Sequence, residues 1–256
     1  MKPIVDAFRL LTIIPFPFGS SSDSPPSKYS PLFFPFVGVL IGVGAAAVFA
    51  LFDELLPRDL AAALTIVALV IATGALHVDG LADFADGMFG GQDPASRMRI
   101  MKQPDIGAFG VAAVVLVLAL DWIALSSLTV ESAWLVLPMV GLMSRAAPLI
   151  VMTLTKYVSS GGLAQSYVGI PKPALVVAIV VAIFISAVIG GGLALSVALA
   201  GVVMAVLVTL FAKRRIGGSN GDVYGAAVEL VTTVCLIGAS GVVDAGGIFE
   251  AAWTGL

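Results

Sequence analysis

The chain has 256 residues, 59% of them hydrophobic and 11% charged, and carries a formal net charge of -3. With a mean hydropathy of +1.09 it is far too apolar for a water-soluble domain, and the lack of a basic excess excludes a nucleic-acid partner. The single cysteine, Cys235, excludes an intrachain disulfide.

Taken in chain order, residues 3 to 14 read as an amphipathic helix lying at the membrane surface. The stretch does not read as a signal peptide: Lys2 and Arg9 bracket Asp6, and LLTIIPFPF is short and broken by Pro15 and Pro17. A polar loop, GSSSDSPPSKYS, follows. Crossing a bilayer takes about 20 apolar residues per helix. Apolar runs at 32–52, 60–76, 109–129, 134–153, 173–189, 193–211 and 226–243 predict seven spans, with a tight hairpin at Gly190, Gly191 and Gly192. No long polar linker interrupts them, so residues 1–256 read as one integral-membrane domain. The fold class is all-α, a polytopic membrane helical bundle of about seven helices preceded by the surface helix.

Charge placement supports that map. Numbering the loops alternately puts Lys2, Arg9, Lys28, Arg97, Arg99, Lys102, Lys156, Lys172, Lys213, Arg214 and Arg215 on one side. The other side receives Arg58, and Arg145 falls inside a span. This asymmetry places the N-terminus and the cation-rich loops in the cytoplasm and the C-terminus outside.

Two constellations carry the chemistry. In HVDGLADFADG, residues 77–87, a continuing second helix would set Asp79, Asp83 and Asp86 on one face. Three like charges on one stripe repel, and each unpaired charge at bilayer depth costs about 2.5–3.5 kcal/mol. A divalent cation relieves both problems, and hard oxygen ligands without a Cys/His cluster suit Mg²⁺ or Mn²⁺ rather than zinc. His77 beside them is a candidate for proton transfer. In GGSNGDVYGAAVE, residues 217–229, the backbone of Gly217, Gly218 and Gly221 could face phosphate oxygens. Asp222 and Glu229, seven residues apart, share a face. Asp121 and Arg145 lie in consecutive spans; they either pair or leave the guanidinium for a substrate phosphate. Arg97, Arg99 and Lys102 would attract an anion, and Asp105 is a further metal ligand or a turn residue.

HVDGLADFADGMFGG, RMRIMKQPDIGAFGV and GGSNGDVYGAAVE, in that order, resemble the cobalamin synthase family, the adenosylcobinamide-GDP ribazoletransferases. TIIPFP, PFVGVLIG and Ser144–Arg145 match further segments of it, so the resemblance covers nearly the whole chain. It implies a magnesium-dependent enzyme of the cytoplasmic (inner) membrane with its active site facing the cytoplasm. A ribose hydroxyl of α-ribazole, or of its 5′-phosphate, would attack adenosylcobinamide-GDP and release GMP. The implied metal ligands are Asp79, Asp83, Asp86, Asp222 and Glu229. The implied catalytic set is His77, Asp79, Asp83 and Arg145, and Gly217, Gly218, Asn220, Gly221 and Lys102 bind substrate. Here ELVTT follows where many relatives carry a second acidic residue after the glutamate. A homo-oligomer is left open. The competing reading is a cation-coupled transporter, but its site belongs at mid-membrane and commonly accompanies an internal repeat, which this sequence lacks.

Overall fold

The computed structural model describes residues 2–15 and 25–243, with backbone alone at 189–193, 196 and 242–243. Its helices are α1 (Lys2–Leu11), α2 (Phe34–Asp53), α3 (Arg58–Ala72), α4 (Leu76–Gly90), α5 (Pro94–Ile100), α6 (Ala108–Ser126), α7 (Val130–Leu154), α8 (Lys172–Ile216) and α9 (Gly221–Val243), with no β-strand among the described residues. Five helical stretches are long and apolar enough to cross a bilayer: Ser30–Asp53, Ala108–Ser126, Val130–Leu154, Val197–Ile216 and Gly221–Gly241. The bent pair α3 and α4 makes a sixth, and Lys172–Val188 is a shorter apolar helix. The chain is therefore a polytopic helical membrane bundle, in which seven crossings are reached only if the bent pair and the short helix both count. The C-terminus and the first half of the polar loop after α1 lie outside the described residues.

Two expectations about helix continuity meet the structure differently. The second span does not run straight on through 77–87. Gly74 and Ala75 adopt left-handed backbone, φ 60° and 55°, and α4 leaves at 89° to α3. For an alanine that conformation costs roughly 1–2 kcal/mol, and it redirects the acidic helix to pack on α6 and α9. The predicted hairpin falls within α8. A straight helix rises about 12 Å over eight residues, yet the Ser186 hydroxyl donates to the Ala194 carbonyl at 3.4 Å. The chain must therefore fold back between them. Packing agrees: Leu175 lies against Leu149 and Ala182 against Leu142, while Gly201 faces Met143 on the returning arm.

Helix α7 is the most enclosed of the crossings. It meets α2 along a glycine seam, where a Cβ added to Gly38 would strike the Gly141 carbonyl and one added to Gly42 the Leu137 carbonyl. Lipid gives helices no hydrophobic drive to associate, so small residues that bring backbones together supply the packing. Outward-facing side chains such as Val115, Leu116 and Ile123 on α6, or Val177, Val180 and Phe184 on α8, are exposed and apolar, as a lipid-facing surface requires.

The two ends of the bundle differ in chemistry. At one end Arg58 pairs with Asp53 at 3.0 Å, and the Trp122 indole donates to the Asp59 carbonyl at 2.8 Å. At the other end α1, α5 and the loops 155–171 and 217–220 gather, with most of the lysines and arginines.

Candidate active site

A cavity of about 500 Å³ opens at the cation-rich end. Its walls come from α1 (Leu10, Leu11), the first turn of α4 (His77, Asp79, Gly80), Met101 and Lys102, α7 (Arg145, Pro148, Met152), the 157–164 loop, and the start of α9 (Gly221, Asp222, Tyr224). The α4–α9 crossing fixes this arrangement. A Cβ on Gly80 would lie 3.1 Å from the Gly225 Cα and 3.4 Å from the Asp222 Cα, so a larger residue would push the two backbones apart. That contact brings Asp79 and Asp83 within electrostatic reach of Asp222. No ion pair neutralises these three carboxylates among the described residues.

The predicted residues sort into several places. Asp79 is exposed on the cavity wall; Asp83 is half-buried one turn on, beside it in charge but not in the lining. Asp86 is turned away altogether: its carboxylate accepts the Gly107 N–H at 2.7 Å and the Gly110 N–H at 2.9 Å, holding the first turn of α6. Four N–H groups at a helix start lack intrahelical partners, and a buried carboxylate there serves both their hydrogen bonds and the helix dipole. Glu229 lies deeper and lines a second, smaller cavity instead. His77 is buried on the main cavity wall with its Nδ1 unpartnered among the described residues. Arg145 is buried as well. It does not pair with Asp121; its Nη1 donates to Ser144 at 2.8 Å, and the charge near it belongs to Glu229.

The glycine loop divides similarly. Gly217 ends α8 in left-handed backbone at φ 77°, donating to the Lys213 carbonyl, and Gly218 packs on the Lys156 backbone. Neither reaches the cavity, whereas Asn220 and Gly221 do. Asn220 caps α9 by accepting the Val223 N–H at 3.0 Å and steadies Asp222 through a 2.7 Å bond from Nδ2. Of the basic residues, Lys102 lines the cavity. Arg97 is buried and ties α5 to the end of α8 through the Arg215 carbonyl at 3.2 Å. Arg99 and Asp105 are exposed outside the lining.

Sequence reasoning passed over the loop after α7. Residues 156–158 bridge to Ser219, with Val158 N–H to the Ser219 carbonyl at 2.9 Å and Ser219 N–H to the Lys156 carbonyl at 3.0 Å. This bridge hangs Tyr157, Ser159, Ser160, Gly161 and Gly162 over the cavity. Burial, with the Asp222 carboxylate beyond, holds the Tyr157 phenol above its ordinary pKa, so it remains a hydroxyl at neutral pH. The Ser159–Gly162 run of small residues next to two tyrosines was the available signal.

A metal is compatible with the donor chemistry, carboxylates without an ion pair on two touching helices. Among the described residues, however, no three His, Cys, Asp or Glu side chains converge as a ready chelate. Mg²⁺ commonly takes one or two carboxylates and completes its shell with water and substrate phosphates, which suits Asp79 and Asp222 better than a five-carboxylate cage.

The fold and site together define a polytopic membrane protein with an acid-lined cavity at its cation-rich end. The model of a protein family described as cobalamin-5-phosphate synthase matches residues 3–240. An adenosylcobinamide-GDP ribazoletransferase of Chlorobium phaeobacteroides (strain BS1) is 35% identical over 94% of this chain and 98% of its own length. Proteins of the same name from Chlorobaculum parvum (37%, over 90% of this chain and 92% of theirs) and Pseudomonas fluorescens strain Pf0-1 (35%, over 93% and 98%) are similar too. No solved structure matches. The chain belongs to the cobalamin-5-phosphate synthase family and is an enzyme, a transferase of cobalamin synthesis.

Proposed function

We propose that the enzyme joins adenosylcobinamide-GDP to α-ribazole or its 5′-phosphate in a Mg²⁺-dependent reaction at the cytoplasmic face of the inner membrane. The observation that supports this reading is one cavity lined by both Asp79 and Asp222 and by Lys102 and Arg145. Carboxylates to hold a cation and cations to hold phosphate are the two needs of phosphoryl transfer. A ribose hydroxyl forms a new P–O bond to the cobinamide-side phosphorus, the bond to the second phosphorus breaks, and GMP leaves. We assign the hydroxyl proton to Asp79 or His77, both of which line the cavity. Mg²⁺, when bound, supplies neutralisation of the pyrophosphate charge. Arg145 and Lys102 are the cavity cations that would bind a phosphate, the guanidinium as a fork.

The cavity has room for a drug-sized group, so the pyrophosphate and its neighbours enter while the corrin ring stays at the mouth. Leu10, Leu11, Phe34 and Met152 give the cavity an apolar part of its wall. GMP release from purified enzyme with both substrates and Mg²⁺ tests the reaction; no release would overturn it. Sidedness is tested by labelling cysteines placed at the exposed positions Ser160 and Leu55. In whole cells an impermeant reagent should modify only the second; labelling of the first would overturn the cytoplasmic orientation.

A further inference from the structure

The second cavity, about 60 Å³, lies deeper in the bundle and is lined by Asp121, Arg145, Glu229, Thr73 and Thr232 among apolar side chains. Arg145 lines both cavities. Its guanidinium carries five N–H donors, of which Nη1 reaches Ser144, while Nε has no hydrogen-bond partner among the described residues. Asp121 is buried and its Oδ1 is likewise unpartnered. Glu229 is the carboxylate whose charge acts on Arg145, and it also acts on Asp121, yet no ion pair within 4.0 Å joins any of the three. Three ionisable groups thus line one small space with no ion pair between them. Polar walls and a volume several times that of one water probe, about 10–15 Å³, suit a few ordered waters.

We propose that this cavity is a hydrated relay in which water bridges Glu229 and Asp121 to Arg145, making Glu229 a positioning residue. It aims the guanidinium at the floor of the substrate cavity and is not a ligand of the metal. Nη1, held by Ser144, and Nε, held by the relay, fix the guanidinium plane and so which N–H groups remain for an anion. The glycine seam serves the same end, because Gly141, one turn before Arg145, sets α7 against α2 and closes the relay on that side. The inference rests on the reading that Arg145 meets the pyrophosphate.

The experiment measures KM for adenosylcobinamide-GDP, kcat and melting temperature for Glu229→Gln, Glu229→Asp, Arg145→Lys and the Arg145→Lys/Glu229→Gln double variant. Glu229→Gln is expected to raise KM at least tenfold with kcat changed less. Glu229→Asp, which keeps the charge and leaves room for one more water, should restore KM to within about threefold of the parent. The double variant should be no worse than Arg145→Lys alone, because both act on one contact. If Arg145→Lys leaves KM unchanged, the pyrophosphate reading fails. If Arg145→Lys raises KM but Glu229→Gln does not, or lowers only the melting temperature, the positioning role is overturned. Should Glu229→Gln fail to fold, the Glu229→Asp arm decides, since a KM raised as much as in Arg145→Lys would contradict a water-adaptable relay.

Discussion

The two ends of α4 carry the same residue type at helical spacing and put it to opposite uses. At the first turn Asp79 is exposed on the main cavity, its carboxylate without a hydrogen bond or ion pair to a described residue. At the third turn Asp86 is buried and spent on two backbone N–H groups of α6. What a carboxylate does is decided by what meets it. Where α9 crosses at Gly225 it leaves an open, charged wall; where the α6 N-terminus abuts it supplies orphan donors that the carboxylate satisfies. The first arrangement leaves a carboxylate unpartnered at the cavity, and the second uses one to hold a helix start.

The sharpest way to break this contrast is Asp79→Asn. Turnover measured as GMP release should fall by at least about 100-fold, the scale on which a transition-state electrostatic contact is felt. The melting temperature should hold or rise slightly, because removal of one charge relieves repulsion from Asp83 at i+4. A variant that loses stability in step with turnover would place Asp79 with Asp86 instead.

Next comes Gly80→Val, which wedges a branched side chain into the α4–α9 crossing, where even one added carbon meets backbone at 3.1 Å. Overpacking typically costs 1–3 kcal/mol, and the shift of Asp79 relative to Asp222 should lower turnover at least tenfold in protein that still folds. Normal turnover would show that the site does not depend on this crossing.

Asp86→Ala tests the other end of the helix. Two buried N–H groups lose their acceptor, so stability should fall by about 2 kcal/mol, while turnover at a temperature below melting stays within a few-fold of the parent. A collapse of turnover in folded Asp86→Ala would return this residue to the metal site. The smallest effect belongs to Thr129→Ala, at the far membrane end, where Thr129 and Ser132 form a capping box on α7. About 1 kcal/mol of stability should be lost, and kcat and KM should not move.

Sequence alone determined the class of the molecule. Apolar runs of membrane length, the one-sided placement of lysine and arginine, and ordered motifs are local properties, and they sufficed for a helical membrane bundle of this family. They also singled out HVDGLADFADG and SNGD, segments that both contribute to the wall of the main cavity, because the cost of charge beside apolar sequence is legible without a fold. Tertiary structure alone decided which members of those motifs meet. Periodicity placed Asp86 on the stripe of Asp79 but could not reveal the α6 N-terminus arriving from Gly107, twenty-one residues on. The left-handed turn at Gly74 and Ala75, which rotates α4 out of line with α3, interrupts a hydropathy pattern that shows no break. The Tyr157 loop drew no attention because its role depends on a bridge to Ser219, sixty-odd residues away. Glu229 and Arg145 come together only where α7 and α9 pack. Contacts between distant segments depend on the packing of whole helices, and one segment's composition holds no record of its neighbour.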